Sequence, residues 1–171
     1  MTEAEKKNSE LETVCGVLLD ELRKHGNKLA VAESCTGGLI AASLVSHSGC
    51  SDCFSGGAVV YSNELKHAIL GVPCDIFDKY GAVSEECIGA MLRGTLEHLN
   101  CDCAIAVSGI AGPGGGLPGK PVGTVYIGAA LKSEQKILRL ELTGGRNSVR
   151  VQAACKAVEL TIDLIKEFYH E

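Results

Sequence analysis

Three short segments of the sequence join hydroxyls, an amine and clustered glycines at the ends of apolar runs. They are Ser34-Cys35-Thr36-Gly37-Gly38, Tyr61-Ser62-Asn63 followed by Lys66, and Ser108-Gly109-Ile110-Ala111-Gly112. Ser34 comes straight after the run Leu29-Ala30-Val31-Ala32-Glu33, where a strand would turn into a helix, and the glycines behind it let a substrate approach the backbone. A hydroxyl at such a turn is well exposed for nucleophilic attack. The competing reading is that Ser34 or Thr36 merely caps the helix that follows. Cys35 is a rival nucleophile, although adjacent residues on a turn point apart and its neighbours are small and apolar.

A serine nucleophile needs a base. No histidine falls in the three segments: His25, His47, His67, His98 and His170 lie on expected helices or at their ends, which disfavours a Ser-His-Asp arrangement. Lys66 lies one helical turn after Asn63, so its amine can return to the same crevice. Burial there would lower its pKa and supply a neutral amine as general base. Against this stands a solvated lysine on a short helix. Tyr61 is open in the same way, between relaying a proton and packing its ring. Arg146 and Arg150 are four residues apart and share one helix face, from which both could reach a phosphate or remain solvated. The Gly109–Gly116 stretch lacks the lysine and hydroxyl ending of a Walker loop, and no G-x-G-x-x-G follows the first strand. Nucleotide hydrolysis and dinucleotide binding are therefore poorly supported.

The elements that would position these residues can be read from periodicity. Leu11, Val14, Cys15, Leu18, Leu19 and Leu22 mark one face of a first helix that stops at His25-Gly26-Asn27. A strand over Leu29–Ala32 leads through the Ser34 turn into a helix carrying Leu39, Ile40, Ala42, Leu44 and Val45. A strand over Gly56–Tyr61 leads, with Ser62-Asn63 as cap, into a short helix through Leu70. Pro73–Gly81 reads as a turn-rich connection and Ser84 as the N-cap of a helix through Leu99. Cys103–Val107 is a buried strand, followed by some fifteen loop residues whose length calls for a function. Thr124–Leu131 and Lys136–Leu142 are spaced as an antiparallel hairpin joined by Lys132–Gln135, and a long helix runs from about Arg146 to Tyr169. Helices alternating with short apolar strands predict an α/β fold, a three-layer α/β/α sandwich over a mixed, mostly parallel sheet of about five strands. The ends of such strands would gather the three segments into one crevice, where turn amides can hold an oxyanion or a phosphate.

Composition narrows the classes. With 171 residues, 46% hydrophobic and 22% charged, the chain reads as one globular domain, residues 1–9 forming a flexible extension. Sixteen Lys and Arg against 21 Asp and Glu give a charge of −5, which offers no electrostatic footprint for nucleic acid or an anionic membrane. No apolar run approaches a membrane span and the first residues do not resemble a signal peptide, so a cytoplasmic protein is expected. Nine cysteines are many but odd in number, and most read as buried thiols. The pairs Cys50/Cys53 and Cys101/Cys103 leave a four-thiolate zinc site as an alternative, though the second pair has only one intervening residue.

Ala32-Glu-Ser-Cys-Thr-Gly-Gly38, Tyr61-Ser-Asn63, Gly71-Val72, Gly81-Ala-Val-Ser84, Ser108-Gly-Ile-Ala-Gly-Pro113 and Lys120-Pro-Val-Gly-Thr124, in this order, resemble the CinA C-terminal domain family over about residues 10–168. That family includes nicotinamide-nucleotide amidases. The resemblance implies hydrolysis of the carboxamide of nicotinamide mononucleotide to nicotinate mononucleotide and ammonia, with no metal or cofactor, in pyridine nucleotide salvage. It implies Ser34 as nucleophile, Lys66 as base and Tyr61 as assistant. Substrate contacts are expected from Cys35, Thr36, Gly37, Gly38, Asn63, the Ser108–Gly112 loop, Arg146 and Arg150. It further implies a sheet with one antiparallel strand and a homo-oligomer, dimer or larger. Members fused to a second domain and linked to DNA uptake keep a regulatory, non-catalytic nucleotide-binding module as the alternative. The cysteines at 50, 53, 101 and 103 and the glycine-dense Gly114–Gly119 depart from the family pattern.

Overall fold

The chain, seen in a computed structural model, is described over residues 3–170, with side chains from Ser9 onward. Five strands form one sheet in the order β2-β1-β3-β4-β5: β1 Leu29–Glu33, β2 Phe54–Val59, β3 Cys103–Gly109, β4 Thr124–Leu131 and β5 Glu134–Glu141. The helices are α1 Glu3–His25, α2 Leu39–Val45, α3 Asn63–Leu70, α4 Cys74–Lys79, α5 Glu85–His98 and α6 Arg146–Phe168.

The side-chain period of the central strands creates two unlike faces. Leu29 and Val31 of β1 and Cys103, Ile105 and Val107 of β3 point to a core shared with Leu18, Leu22, Ile40, Leu44, Ala153, Val158 and Leu164 of α1, α2 and α6. The alternate positions Ala32, Ala104, Ala106 and Ala130 face Ile88, Met91 and Leu92 of α5 and Leu70 of α3. Small residues let α5 lie close to the sheet. At Gly128 of β4 an added Cβ would stand 2.5 Å from Ile88 Cγ2, so the absence of a side chain there fixes the helix–sheet spacing.

Three layers and five strands agree with expectation, and β4 is the one reversed strand. The ladders are nevertheless more antiparallel than expected. The parallel ladders β1–β2 and β1–β3 hold five residue pairs each, the antiparallel β3–β4 and β4–β5 seven and eight. The hairpin strands are longer and a connection of only Lys132 and Ser133, with Lys132 at φ 54°, pairs them along their full length.

Three local expectations also change. Residues 3–9, expected as a flexible extension, continue α1. Pro73–Gly81 contains the short helix α4, entered from Pro73 and supported by an exposed Lys79–Asp75 pair at 3.0 Å. Strand β2 starts and ends two residues earlier than predicted, so Val60 and Tyr61 lie beyond it, which matters for Lys66. Ser84 caps α5 as expected, its Oγ accepting from the Cys87 amide at 3.2 Å. Among the described residues no helix is long and apolar enough to cross a membrane.

Candidate active site

Strands β1, β2 and β3 run parallel, so their carboxyl ends form one rim with β1 in the middle. The chain leaves β1 through α2 on one face of the sheet and returns from β2 through α3 and α5 on the other. The crossovers diverge at the end of β1, where an open α/β sheet presents its crevice. Ser34 occupies that point, its amide donating to Val107 O at 3.0 Å, and the Val60 amide donates to Glu33 O at 2.8 Å.

Lys66 enters from α3. Ser62 caps this helix, accepting from the Leu65 amide at 3.2 Å, and Lys66 sits one turn further on. It is 1% exposed, a fully buried lysine. Its Nζ lies 3.1 Å from Ser34 Oγ, 3.0 Å from Val60 O and 3.2 Å from Tyr61 O. Burial holds the Lys66 amine below the usual lysine pKa, opposed by the nearby Cys87 and Cys35 thiols and by Glu64. A neutral amine has two N–H donors and one lone pair. The two carbonyls can only accept, so they take the N–H groups, and the lone pair is left for the one partner able to donate, the Ser34 hydroxyl.

The turn after Ser34 is pinned on several sides. The Gly37 amide donates to Ser34 O at 3.1 Å, and Gly37 and Gly38 take φ values of 62° and 92° that a side chain would strain. Gly38 leaves α2 without a side-chain cap. Glu33, 1% exposed, replaces it: its carboxylate accepts from the amides of Gly38 at 3.0 Å, Ile40 at 3.2 Å and Ala41 at 2.9 Å. Among the described residues neither the Cys35 nor the Thr36 amide donates to a backbone carbonyl, the Cys35 N–H meeting only its own thiol, and these two N–H groups are placed to meet an oxyanion. Thr36 Oγ1 is buried and also unpartnered. Cys35 is buried, and burial pushes its thiol up to about 11, which keeps it protonated and poorly nucleophilic.

The remaining predicted residues divide. Arg146 reaches across the rim, donating from Nη1 to Gly112 O at 2.7 Å and from Nη2 to the Tyr61 hydroxyl at 3.1 Å. Tyr61 therefore offers Lys66 its backbone carbonyl, not its phenol, and the residue is 59% exposed. Arg150 does not stand free beside Arg146 for a phosphate. Its Nε and Nη2 donate to the carbonyls of Cys35 and Thr36 at 3.2 and 2.8 Å, and its Nη1 donates to Asn147 Oδ1 at 3.2 Å. Ser108 is buried and donates to Ala82 O at 2.8 Å, tying β3 to the loop before α5. Gly109 closes β3, the Ile110 amide donates to Thr124 O at 2.8 Å, Ala111 is buried, and Asn63 opens α3 with an exposed side chain.

Glu33 and the two carbonyls of Val60 and Tyr61 were not singled out from the sequence. The signal for Glu33 is an acidic residue ending an otherwise apolar strand, six residues before a helix that begins behind two glycines. The cysteine pairs 50/53 and 101/103 lie near the amino ends of β2 and β3, the edge of the sheet away from Ser34. Cys53 and Cys103 are buried, and no group of three or more His, Cys, Asp or Glu among the described residues could hold a metal.

Fold and site together define an α/β protein with a buried serine–lysine pair at the point where the sheet connections diverge. The CinA C-terminal domain model matches residues 11–165. The chain is 46% identical over 151 residues to a CinA-like protein of Thermotoga neapolitana, covering 88% of this chain and 37% of that protein. It superposes with a TM-score of 0.88 on the competence/damage inducible protein CihA from Agrobacterium tumefaciens, at 34% identity over 91% of this chain and 95% of the other. A CinA superfamily protein from Klebsiella pneumoniae gives 0.89, at 32% identity over 92% and 98%. The chain belongs to the CinA C-terminal domain family, and it spans 37% of the length of the Thermotoga relative.

Proposed function

We propose that this chain is an amidase that hydrolyses the carboxamide of nicotinamide mononucleotide to nicotinate mononucleotide and ammonia. The observation that carries the reading is Lys66 Nζ, buried and 3.1 Å from Ser34 Oγ, with two backbone carbonyls taking its other bonds. An amide is a poor electrophile, so the hydroxyl must be deprotonated as it attacks and the oxyanion must be held. Neutral Lys66 takes the Ser34 proton as Oγ bonds to the carboxamide carbon. The charge developing on the carbonyl oxygen meets the amides of Cys35 and Thr36. Lys66 then gives the proton to the departing nitrogen, the C–N bond breaks, and ammonia leaves a nicotinoyl ester on Ser34. Water attacks that ester, one of its protons passes to Lys66 and on to Ser34 Oγ as the C–Oγ bond breaks, and the acid product leaves as the carboxylate, its remaining proton going to solvent and the released ammonia.

Arg146, exposed at the first turn of α6, supports recognition of an anionic group such as the substrate phosphate. No step needs a metal or cofactor, and a homo-oligomer is proposed with the same family as its basis. The test is ammonia release from the mononucleotide by purified protein, with intact-mass detection of a nicotinoyl adduct on Ser34. Substrate binding without ammonia release or adduct would favour the non-catalytic module, a reading that rests on the competence/damage naming of the Agrobacterium neighbour.

A further inference from the structure

Among the described residues two amides of the Ser34 turn, those of Cys35 and Thr36, donate to no backbone carbonyl, and each belongs to a peptide unit whose own carbonyl is held from the other side. In a planar trans peptide the C=O and N–H point in opposite directions, so fixing one aims the other. The Cys35 amide shares its peptide with Ser34 O, which accepts from the Gly37 amide at 3.1 Å. The Thr36 amide shares its peptide with Cys35 O, and among the described residues that carbonyl is held only by Arg150 Nε at 3.2 Å. The same guanidinium takes Thr36 O through Nη2 at 2.8 Å, so both fork donors bind consecutive carbonyls.

We propose that Arg150 is a positioning residue for the oxyanion site. It anchors α6 to the Cys35–Thr36 peptides and fixes the Thr36 N–H on the side away from its own guanidinium. A cation bound to a carbonyl also draws electron density from the peptide and makes its N–H a stronger donor. Lysine cannot replace it, because one ammonium lacks the planar fork that spans two carbonyls. This role sets Arg150 apart from the phosphate contact expected for it and leaves the exposed Arg146, which spans the rim from Gly112 O to the Tyr61 hydroxyl, as the arginine placed to meet substrate. The inference rests on the amidase reading for its substrate, but not for its geometry.

The experiment therefore uses two readouts on Arg150→Met, Arg150→Lys and Arg150→Ala. One is kcat and KM for the mononucleotide and for its phosphate-free nucleoside. The other is the rate at which a fluorophosphonate labels Ser34, followed by intact mass. In that reaction the Oγ–P bond forms, P–F breaks, fluoride leaves and the Ser34 proton passes to Lys66, while the phosphoryl oxygen occupies the oxyanion site. Arg150→Met is expected to slow turnover and labelling together by about ten- to a hundredfold, with KM within about threefold of wild type and the pH limb of Lys66 in place. Arg150→Lys should fall between, and added guanidinium should restore part of the Arg150→Ala loss. Rates within about twofold of wild type for all three variants would overturn the proposal. So would a loss confined to KM that disappears with the nucleoside, because that marks a phosphate ligand. If wild type is labelled at Ser34 but hydrolyses no mononucleotide, the substrate reading fails alone and Arg150 is judged on labelling. Failure of wild type to label would sink both.

Discussion

Arg146 and Tyr61, 85 residues apart in sequence, meet side chain to side chain across the rim of the sheet, Nη2 donating to the phenol oxygen at 3.1 Å. The contact carries the start of α6 to the end of β2 and joins it, through the 2.7 Å bond from Nη1 to Gly112 O, to the loop after β3. The ends of β2 and β3 are thus connected by one exposed guanidinium, while the phenol stays away from the Lys66 amine.

This placement sets an expectation for Tyr61. Removing the hydroxyl loses one exposed hydrogen bond to Arg146 and none to Lys66, so Tyr61→Phe should lower kcat/KM by less than about tenfold. The pH at which activity rises should stay where it is. Arg146→Ala should act mainly on KM for the phosphorylated substrate. Steady-state kinetics across pH separate the two, and a shifted limb in Tyr61→Phe would return the phenol to the proton path.

Ser34 and Cys35 are adjacent, and their environments assign them different work. The Cys35 thiol is buried and pushed up to about 11, whereas the Ser34 hydroxyl faces a lysine whose pKa burial lowers. Ser34→Ala should reduce turnover by at least about 10³-fold with the melting curve unchanged. Cys35→Ala should keep it within about threefold, since a protonated thiol is a weak nucleophile. The reverse outcome would make Cys35 the nucleophile.

Ser34 and Lys66 were legible because local rules place them: a hydroxyl directly after an apolar strand, and an amine one helical turn past a cap. Parallel strands then bring the two ends together. What bonds across the chain could not be read that way. Arg150 and Cys35 lie 115 residues apart, and no spacing rule reports that a guanidinium ends on a backbone carbonyl rather than on a phosphate. The end of β2 was placed two residues late because Ala58-Val59-Val60 is uniformly apolar, and apolarity alone does not say where a ladder stops. That shift hid the carbonyls that complete the Lys66 environment. Helix α4 was missed since six residues behind a proline carry little periodic signal.

Glu33 makes the turn expensive to disturb. Its Oε2 accepts from the Gly38 and Ile40 amides and its Oε1 from Ala41, all at the start of α2 where helical N–H groups otherwise lack partners. Glu33→Ala should cost about 2–4 kcal/mol of stability by orphaning these donors. Glu33→Gln should cost less, keeping one carbonyl oxygen and turning an NH₂ group against the remaining donor. Urea unfolding at neutral pH gives both values, and an alanine variant as stable as wild type would mean the amides find water instead.

Lys66 links burial to the pH dependence of turnover. In the proposed mechanism the base must be neutral, and desolvation lowers the folded-state pKa of Lys66 below the usual lysine value, with the thiols and Glu64 pulling the other way. Because the protonated form is the inactive one, kcat/KM should rise with pH through the folded-state pKa and level off above it. The stability sign follows from the same shift. Between the depressed folded value and the unfolded value the unfolded chain binds more protons, so Lys66 makes stability rise with pH across that window and adds no slope below it. Lys66→Arg, which cannot lose its proton, should abolish the rising limb together with nearly all activity, and Lys66→Met should do the same by removing the amine. Binding of the mononucleotide, measured by calorimetry, should change much less than turnover in both variants. Substantial Lys66→Arg turnover with an unchanged pH profile would show that the cation only anchors substrate and that Ser34 gives its proton to another group.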